Sequence, residues 1–338
     1  MDRLKYGAFQ AVNNCTKVQR GEKVIIITDN ATKFIADKIF EESERVTPGS
    51  TKLFIMENYG DRPEDGSAPL KFPEEIGNEM KDADVSFYCA DAKKGELDTF
   101  RKPMCEYVEN NPKLRHAHMP GISKLLMKTG MNVDYSKVQE LTAKINEIVL
   151  NAEKIRVTTP AGTDFTTYFN NDWKWIISDG DIKADNWSNL PDGEIFTCVK
   201  NIPEGKIVVD GVIGDYLCSK YGILKETPIN LTIKDSRITS IECSNPELLE
   251  EFTAYTDQDE NANRVGEFAI GTNIGLSNLV GNLLQDEKFP GIHVAFGHGY
   301  PEMTGSSWSS KAHIDCVLCK CTITVGNKVI MKDGKFLI

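Results

Sequence analysis

The alternation of short β-branched runs with helical spacing over the first 120 residues constrains this chain more than any other feature. Lys23–Thr28 (KVIIIT) follows Gly21 and reads as a buried strand, and Leu53–Met56 and Val85–Cys89 repeat the pattern. Between them, Ala31–Val46 places Phe34, Ile35, Ile39 and Phe40 at amphipathic helical spacing. Pro73–Met80 reads as a second helix with proline in its first turn. Strand, helix, strand, helix, strand requires crossover connections, so a parallel sheet with helices on its faces is expected. Such sheets often hold nucleotides. No Gly-x-Gly-x-x-Gly and no phosphate-binding Gly-x-x-x-x-Gly-Lys-Ser/Thr follows any of these strands, so a nucleotide reading is weak.

Past residue 150 the texture changes. A helix is expected from about Ser136 to Ala152, with Val138, Leu141, Ile145, Ile148 and Val149 on one stripe and Ser136 with Gln139 as a capping box. Beyond it, Ile155–Thr158, Asp164–Phe169, Trp173–Ser178, Glu194–Thr197, Lys206–Asp210, Ile229–Lys234 and Arg237–Glu242 are short β-type runs split by Gly, Asp and Asn. Glu247–Phe252 and Ser277–Leu284 read as helices within this half. The expected fold class is α/β: an N-terminal parallel-sheet α/β domain over 1–150, and a strand-rich C-terminal α/β (α+β) domain over 151–338. A length of 338 residues accommodates two such cores.

Charge and cysteine usage narrow the function. Lys and Arg total 39 against 50 Asp and Glu, a net charge of −11, which argues against nucleic-acid binding. No apolar run approaches the ~18 residues of a membrane span, and Met1–Gln19 lacks a signal-peptide core, so a cytoplasmic protein away from membranes is expected. Nine scattered cysteines read as reduced thiols. Cys316-x-x-Cys319-x-Cys321 suggests a zinc knuckle, but Cys316 and Cys319 fall on opposite faces of a strand and no second pair completes a tetrahedral set. Trp173, Trp175 and Trp187 fit a substrate entrance, a core or a dimer contact, and His116 and His118 read as loop residues before Gly121.

The sharpest clue lies near the C-terminus. Of five histidines, His293, His298 and His313 fall within the last 46 residues. His313 and Asp315 stand two apart in a strand-like run, so both point to one face and can hold a cation. Alone, such a pair is more often a surface ion pair. His293 lies in a second strand-like run, and imidazole with carboxylate suits zinc, cobalt, manganese or ferrous iron. Glu194 and Glu267 each follow a glycine and begin apolar runs; buried there, a carboxylate needs a cation. Glu287, in Asp286-Glu287-Lys288, is a further candidate whose plainer reading is a solvated charge at a helix end.

The order of motifs Pro191–Thr197 (PDGEIFT), Gly266–Asn273 (GEFAIGTN), Asp286–Lys288, His293–Pro301 and His313–Asp315 resembles the aminopeptidase T family, the thermophilic-type metalloaminopeptidases also called leucyl aminopeptidases. Arg156–Thr166 resembles the opening of that family's C-terminal domain, and the likeness spans most of 130–338. It implies a metal-dependent aminopeptidase with two divalent cations (zinc, cobalt or manganese) on Glu194, Glu267, Glu287, His293, His313 and Asp315. Glu287 stands one residue farther from His293 than the family's spacing. The resemblance puts Tyr300 beside the metals, where its hydroxyl would stabilise an oxyanion. Glu194 or Glu267 would take the proton of the attacking water. His298 matches nothing and reads as a partly exposed loop residue. A peptide or small-molecule substrate and a homodimer are expected. Two alternatives remain open: a mononuclear Fe(II) dioxygenase that opens dihydroxypyridine rings, whose members carry histidine where Glu267 stands, and a non-catalytic peptide- or metal-binding relative.

Overall fold

The computed structural model describes residues 2–184 and 186–338. Residues 1–137 with 180–192 pack as one compact unit, and residues 138–179 with 193–338 as another. The boundary expected at 150 falls just after the helix Tyr135–Val149, which packs with the second unit from Val138 onward.

The first unit is the expected parallel sheet. Its strands run in the order Thr51–Ile55, Val24–Thr28, Val85–Ala90, Arg115–Pro120, Asn186–Asn189, all paired in parallel. Val24–Thr28 is buried at every position, as a central strand covered on both faces must be. One sequence reading is corrected here. His116 and His118 lie on a central strand, fully enclosed, rather than in a loop. The sheet tolerates them because each ring nitrogen is paired. Arg101 Nε–H donates to His118 Nε2 (3.0 Å), which leaves the other proton on His118 Nδ1, 3.2 Å from His116 Nε2. His116 Nδ1–H then donates to Ser86 Oγ at 2.7 Å.

Parallel sheets of this type take ligands beyond the strand ends, where strand order reverses. There the chain places its own cation. The Arg62 guanidinium donates to Asp29 Oδ2 (2.6 Å), to both Glu96 oxygens (2.8 and 2.7 Å) and to the Asp91 carbonyl (2.7 Å). All three charged side chains are buried. Arg62 thus plugs this end of the sheet with a buried ion cluster.

The second unit holds two antiparallel sheets. The larger runs Arg237–Glu242, Ile229–Lys234, Glu204–Val209, Asp164–Tyr168, Lys154–Thr158, Thr322–Val325, Lys328–Lys332, Lys335–Phe336. The smaller runs His313–Leu318, Gly291–Gly297, Val265–Gly271, Glu194–Thr197, Ile176–Ser178. One hydrophobic core draws on both: Ile155, Val157, Phe165 and Leu231 from the first, Ile195, Phe268, Ile270, Val294, Phe296 and Ile314 from the second. Two local expectations change. Asp134, not Ser136, caps the helix Tyr135–Val149, its Oδ1 accepting from the Ser136 backbone N–H and hydroxyl. The helix expected over Ser277–Leu284 is confined to Leu283–Asp286, because the buried Asp286 carboxylate takes the N–H groups of Val280, Gly281 and Asn282 and holds them in a loop.

Candidate metal centre

Period-two alternation on the smaller sheet sorts its residues into two faces. The core takes Ile195, Phe268, Ile270, Val294, Phe296, Ile314 and Cys316. Glu194, Glu267, His293, His313 and Asp315 fall on the other face. Register aligns them: Glu194 opposite Gly271, Glu267 opposite Ala295, Ala295 opposite Asp315, and Gly297 opposite His313. Ala269, Gly271, Ala295 and Gly297, interspersed among them on that face, are small, which leaves room for converging carboxylates and rings. Of the six sequence-derived ligands, five therefore share one sheet face.

The imidazoles are oriented from behind. His293 Nδ1–H donates to the Glu287 carbonyl (2.9 Å) and His313 Nδ1–H to the His298 carbonyl (3.1 Å). Each Nε2 is thereby turned into the cluster. His293 Nε2 lies 3.2 Å from Glu267 Oε1, 3.4 Å from Glu194 Oε2 and 3.9 Å from Asp315 Oδ1. His313 Nε2 lies 3.3 Å from Asp315 Oδ1 and 3.8 Å from Glu267 Oε2. An imidazole lone pair aimed at carboxylate oxygens is repulsive unless a proton or a metal cation sits between them. Glu194 Oε2 is buried with no hydrogen-bond partner, and ligand atoms of Glu194, Glu267 and His293 all lie within 4.8 Å of one another. Nitrogen and oxygen donors backed by carbonyls are the set that holds a divalent cation, so the residues fit one.

The sixth residue arrives by a different route. Residues 287–290 cross directly over the sheet at Gly271, where a Cβ would stand 2.0 Å from the Phe289 carbonyl. Only glycine admits this approach. The crossing carries Glu287 to the edge of the cluster and drives Lys288 inside it, 2% exposed, with Nζ 2.6 Å from Glu194 Oε1 and 2.7 Å from Glu287 Oε1. Glu287 is thus joined to the cluster through an ammonium group. Lys288 closes the Asp286–Lys288 motif, and nothing in its sequence neighbours marks it for burial.

Electrostatics bind the group together. Burial alone would lower both histidines, but Glu267, Glu194 and Asp315 carry His293 up to about 9, and Asp315 and Glu267 carry His313 to about 10. Burial works to raise Asp315, yet the imidazole of His313 holds it well below the usual carboxylate range. Burial, with the charges of Asp315 and Glu194, pushes Glu287 up to about 8 against the pull of Lys288. Protons and a divalent cation compete for the same two nitrogens.

Tyr300 sits at the start of the short helix Pro301–Thr304 in a left-handed backbone conformation (φ 49°), uncommon for an aromatic residue. Its ring packs on His313 (centroids 4.9 Å), His298 and Phe196. Burial and then the nearby carboxylates drive its hydroxyl far above the usual range, which keeps it a neutral donor. His298 stays on the rim, its ring 3.6 Å from Glu302 and its carbonyl serving His313. Cys316 and Cys321 are buried in the core, and all nine cysteines are free thiols. Trp175 packs on Phe169 and Phe268, Trp173 stands edge-on to Trp308, and Trp187, exposed, lies beside His118 in the first unit. No helix among the described residues is long and apolar enough to cross a membrane.

A sequence model of the thermophilic metalloproteases (M29) matches residues 133–334, which include every residue of this cluster. No protein of curated function matches the sequence. Two solved structures share the fold, each with a TM-score of 0.68 and 16% identity. One is wild-type AmpT from Thermus thermophilus, with 99% of each chain covered. The other is 2,5-dihydroxypyridine dioxygenase from Pseudomonas putida KT2440, covering 98% of this chain and 96% of that one.

Proposed function

The chain belongs to the thermophilic metalloprotease (M29) family, and from that premise we propose that it is a metal-dependent aminopeptidase removing N-terminal residues from peptides. The observation that carries the reading is the pair of imidazoles whose Nδ1–H groups are tied to backbone carbonyls while both Nε2 atoms meet buried carboxylates. Glu194, Glu267, His293, His313 and Asp315 are the residues that would hold the cation; zinc, cobalt and manganese suit them. When bound, a divalent cation supplies a Lewis acid that acidifies water and polarises the scissile carbonyl.

The chain's own groups do the rest. Glu194 or Glu267 accepts the proton of the attacking water: Glu194 has one oxygen engaged by Lys288 and the other without a hydrogen-bond partner, and Glu267 meets both imidazoles. Tyr300, kept protonated, donates a hydrogen bond to the carbonyl oxygen as charge develops on it. A cluster of four carboxylates at the site suits the free α-ammonium of a peptide, which favours exopeptidase action. The two cations implied by the sequence resemblance would need Glu194 and Glu287 for the second, and those two carboxylates already share Lys288.

A second reading rests on His293, His313 and Asp315, two imidazoles and a carboxylate of the kind that hold non-haem iron, although the oxygenases carry a histidine of their set where Glu267 stands. Against it, Glu194 and Glu267 are closer to His293 Nε2 than Asp315 is. Aminoacyl substrates and short peptides, supplied with each cation, separate the two. Release of free N-terminal residues that stops on chelation supports the peptidase. Oxygen uptake that requires ferrous iron, without peptide cleavage, would replace it.

A further inference from the structure

We propose that Lys288 is a built-in monovalent cation that takes the second metal position, so that each chain binds one divalent ion. The inference rests on the metallopeptidase reading and refines it. Its ground is geometric. Lys288 Nζ contacts Glu194 Oε1 at 2.6 Å and Glu287 Oε1 at 2.7 Å, so it occupies the point where an ion bridged by those carboxylates would sit. A divalent ion on the same oxygens, at the ~2.0–2.2 Å typical of carboxylate ligands, would collide with the ammonium and repel it. Glu194 is split between two charges: Oε1 is spoken for by the lysine, while Oε2 is buried without a hydrogen-bond partner and faces His293. One carboxylate thereby bridges an ammonium and one metal position.

The surroundings hold the lysine there. Lys288 is 2% exposed, and the approach of the Phe289 carbonyl to Gly271 fixes the main chain beside it. Asp286 secures the preceding turn through three backbone N–H groups. Among the described residues, the one carboxylate–imidazole group compact enough for an ion is Glu194, Glu267 and His293, on the side of Glu194 away from Lys288. An ammonium in the second position supplies fixed positive charge and N–H donors but no Lewis acidity, so water activation falls to a single ion.

The experiment is manganese titration of the full chain, read by elemental analysis and by electron paramagnetic resonance. The expected result is one equivalent per chain with the six-line spectrum of an isolated ion. Lys288→Met, neutral and of similar length, should take up a second equivalent, and the spectrum should broaden and weaken from coupling between neighbouring ions. Two coupled equivalents in the unsubstituted protein would overturn the proposal. So would a folded Lys288→Met protein that still binds only one, or a protein that binds none. Should the variant not fold, the stoichiometry of the unsubstituted chain decides. Two equivalents with peptide cleavage would sink this inference alone, whereas one equivalent without cleavage would sink the peptidase reading alone.

Discussion

Acidification from pH 7 to pH 5 should weaken this protein through two histidines remote in sequence from the metal centre. His116 and His118 are buried and neutral in the folded sheet: burial lowers His116 to about 3, and burial with the charge of Arg101 takes His118 well below its ordinary value. In the unfolded chain each takes a proton near 6.5. The folded pKa values are depressed, so the stability they confer is present above 6.5 and is lost as pH falls toward the folded value. At pH 5 the unfolded state gains about 1.5 log units per histidine, or about 2 kcal/mol each and ~4 kcal/mol together. His293 and His313, raised to about 9 and 10, stay protonated in the folded state while the unfolded chain takes up its protons near 6.5. Each therefore adds ~0.8 kcal/mol of stability over the same window, and Glu287, raised to about 8, acts in the same direction. The loss from His116 and His118 is therefore read as the difference between two proteins. Urea unfolding at pH 7, 6 and 5, in the presence of chelator, measures the loss. The doubly substituted His116→Gln, His118→Gln protein should start less stable at pH 7 and lose far less between pH 7 and 5. Equal slopes in the two proteins would show that these rings are not held neutral.

Other outcomes follow from the same structure. Glu267→Gln should lower peptide hydrolysis by ~10²-fold or more, the scale of a lost general base, with the fold intact by circular dichroism; retention of a tenth of the activity would remove Glu267 from that role. Arg62→Met leaves Asp29 and Glu96 buried without their cation and should cost ~3–5 kcal/mol in urea unfolding; a loss below ~1 kcal/mol would mean that the plug is not structural. Cation uptake at pH 7 should release close to two protons per chain from His293 and His313, measured by calorimetry in buffers of different ionisation enthalpy. Release of none would place the ion elsewhere.

Where side-chain chemistry repeats at a fixed period, the sequence could be read directly. The β-branched run Lys23–Thr28 allowed little besides a buried parallel strand, and the separation of His313 and Asp315 by two put both on one face once a strand formed there. The approach of Glu194 and Glu267 to His293 needed the family motifs, because no local pattern fixes which strands of a sheet are neighbours. The histidines of Arg115–Pro120 were misplaced because their burial depends on Arg101 and Ser86, residues distant in the chain that satisfy their nitrogens. Lys288 was illegible for a related reason. An Asp-Glu-Lys run looks solvated until a glycine on another strand lets the chain cross the sheet and turn the lysine inward.

The central claim is that the carboxylate and imidazole face of the smaller sheet is a metal-dependent peptidase site. Its most direct test is release of N-terminal residues from short peptides by purified protein, first stripped with chelator and then resupplied with one divalent cation. The account expects no cleavage by the stripped protein and recovery on adding zinc, cobalt or manganese, with no oxygen consumed. Cleavage that survives complete metal removal, or a metal-loaded protein that cuts no peptide, would contradict it.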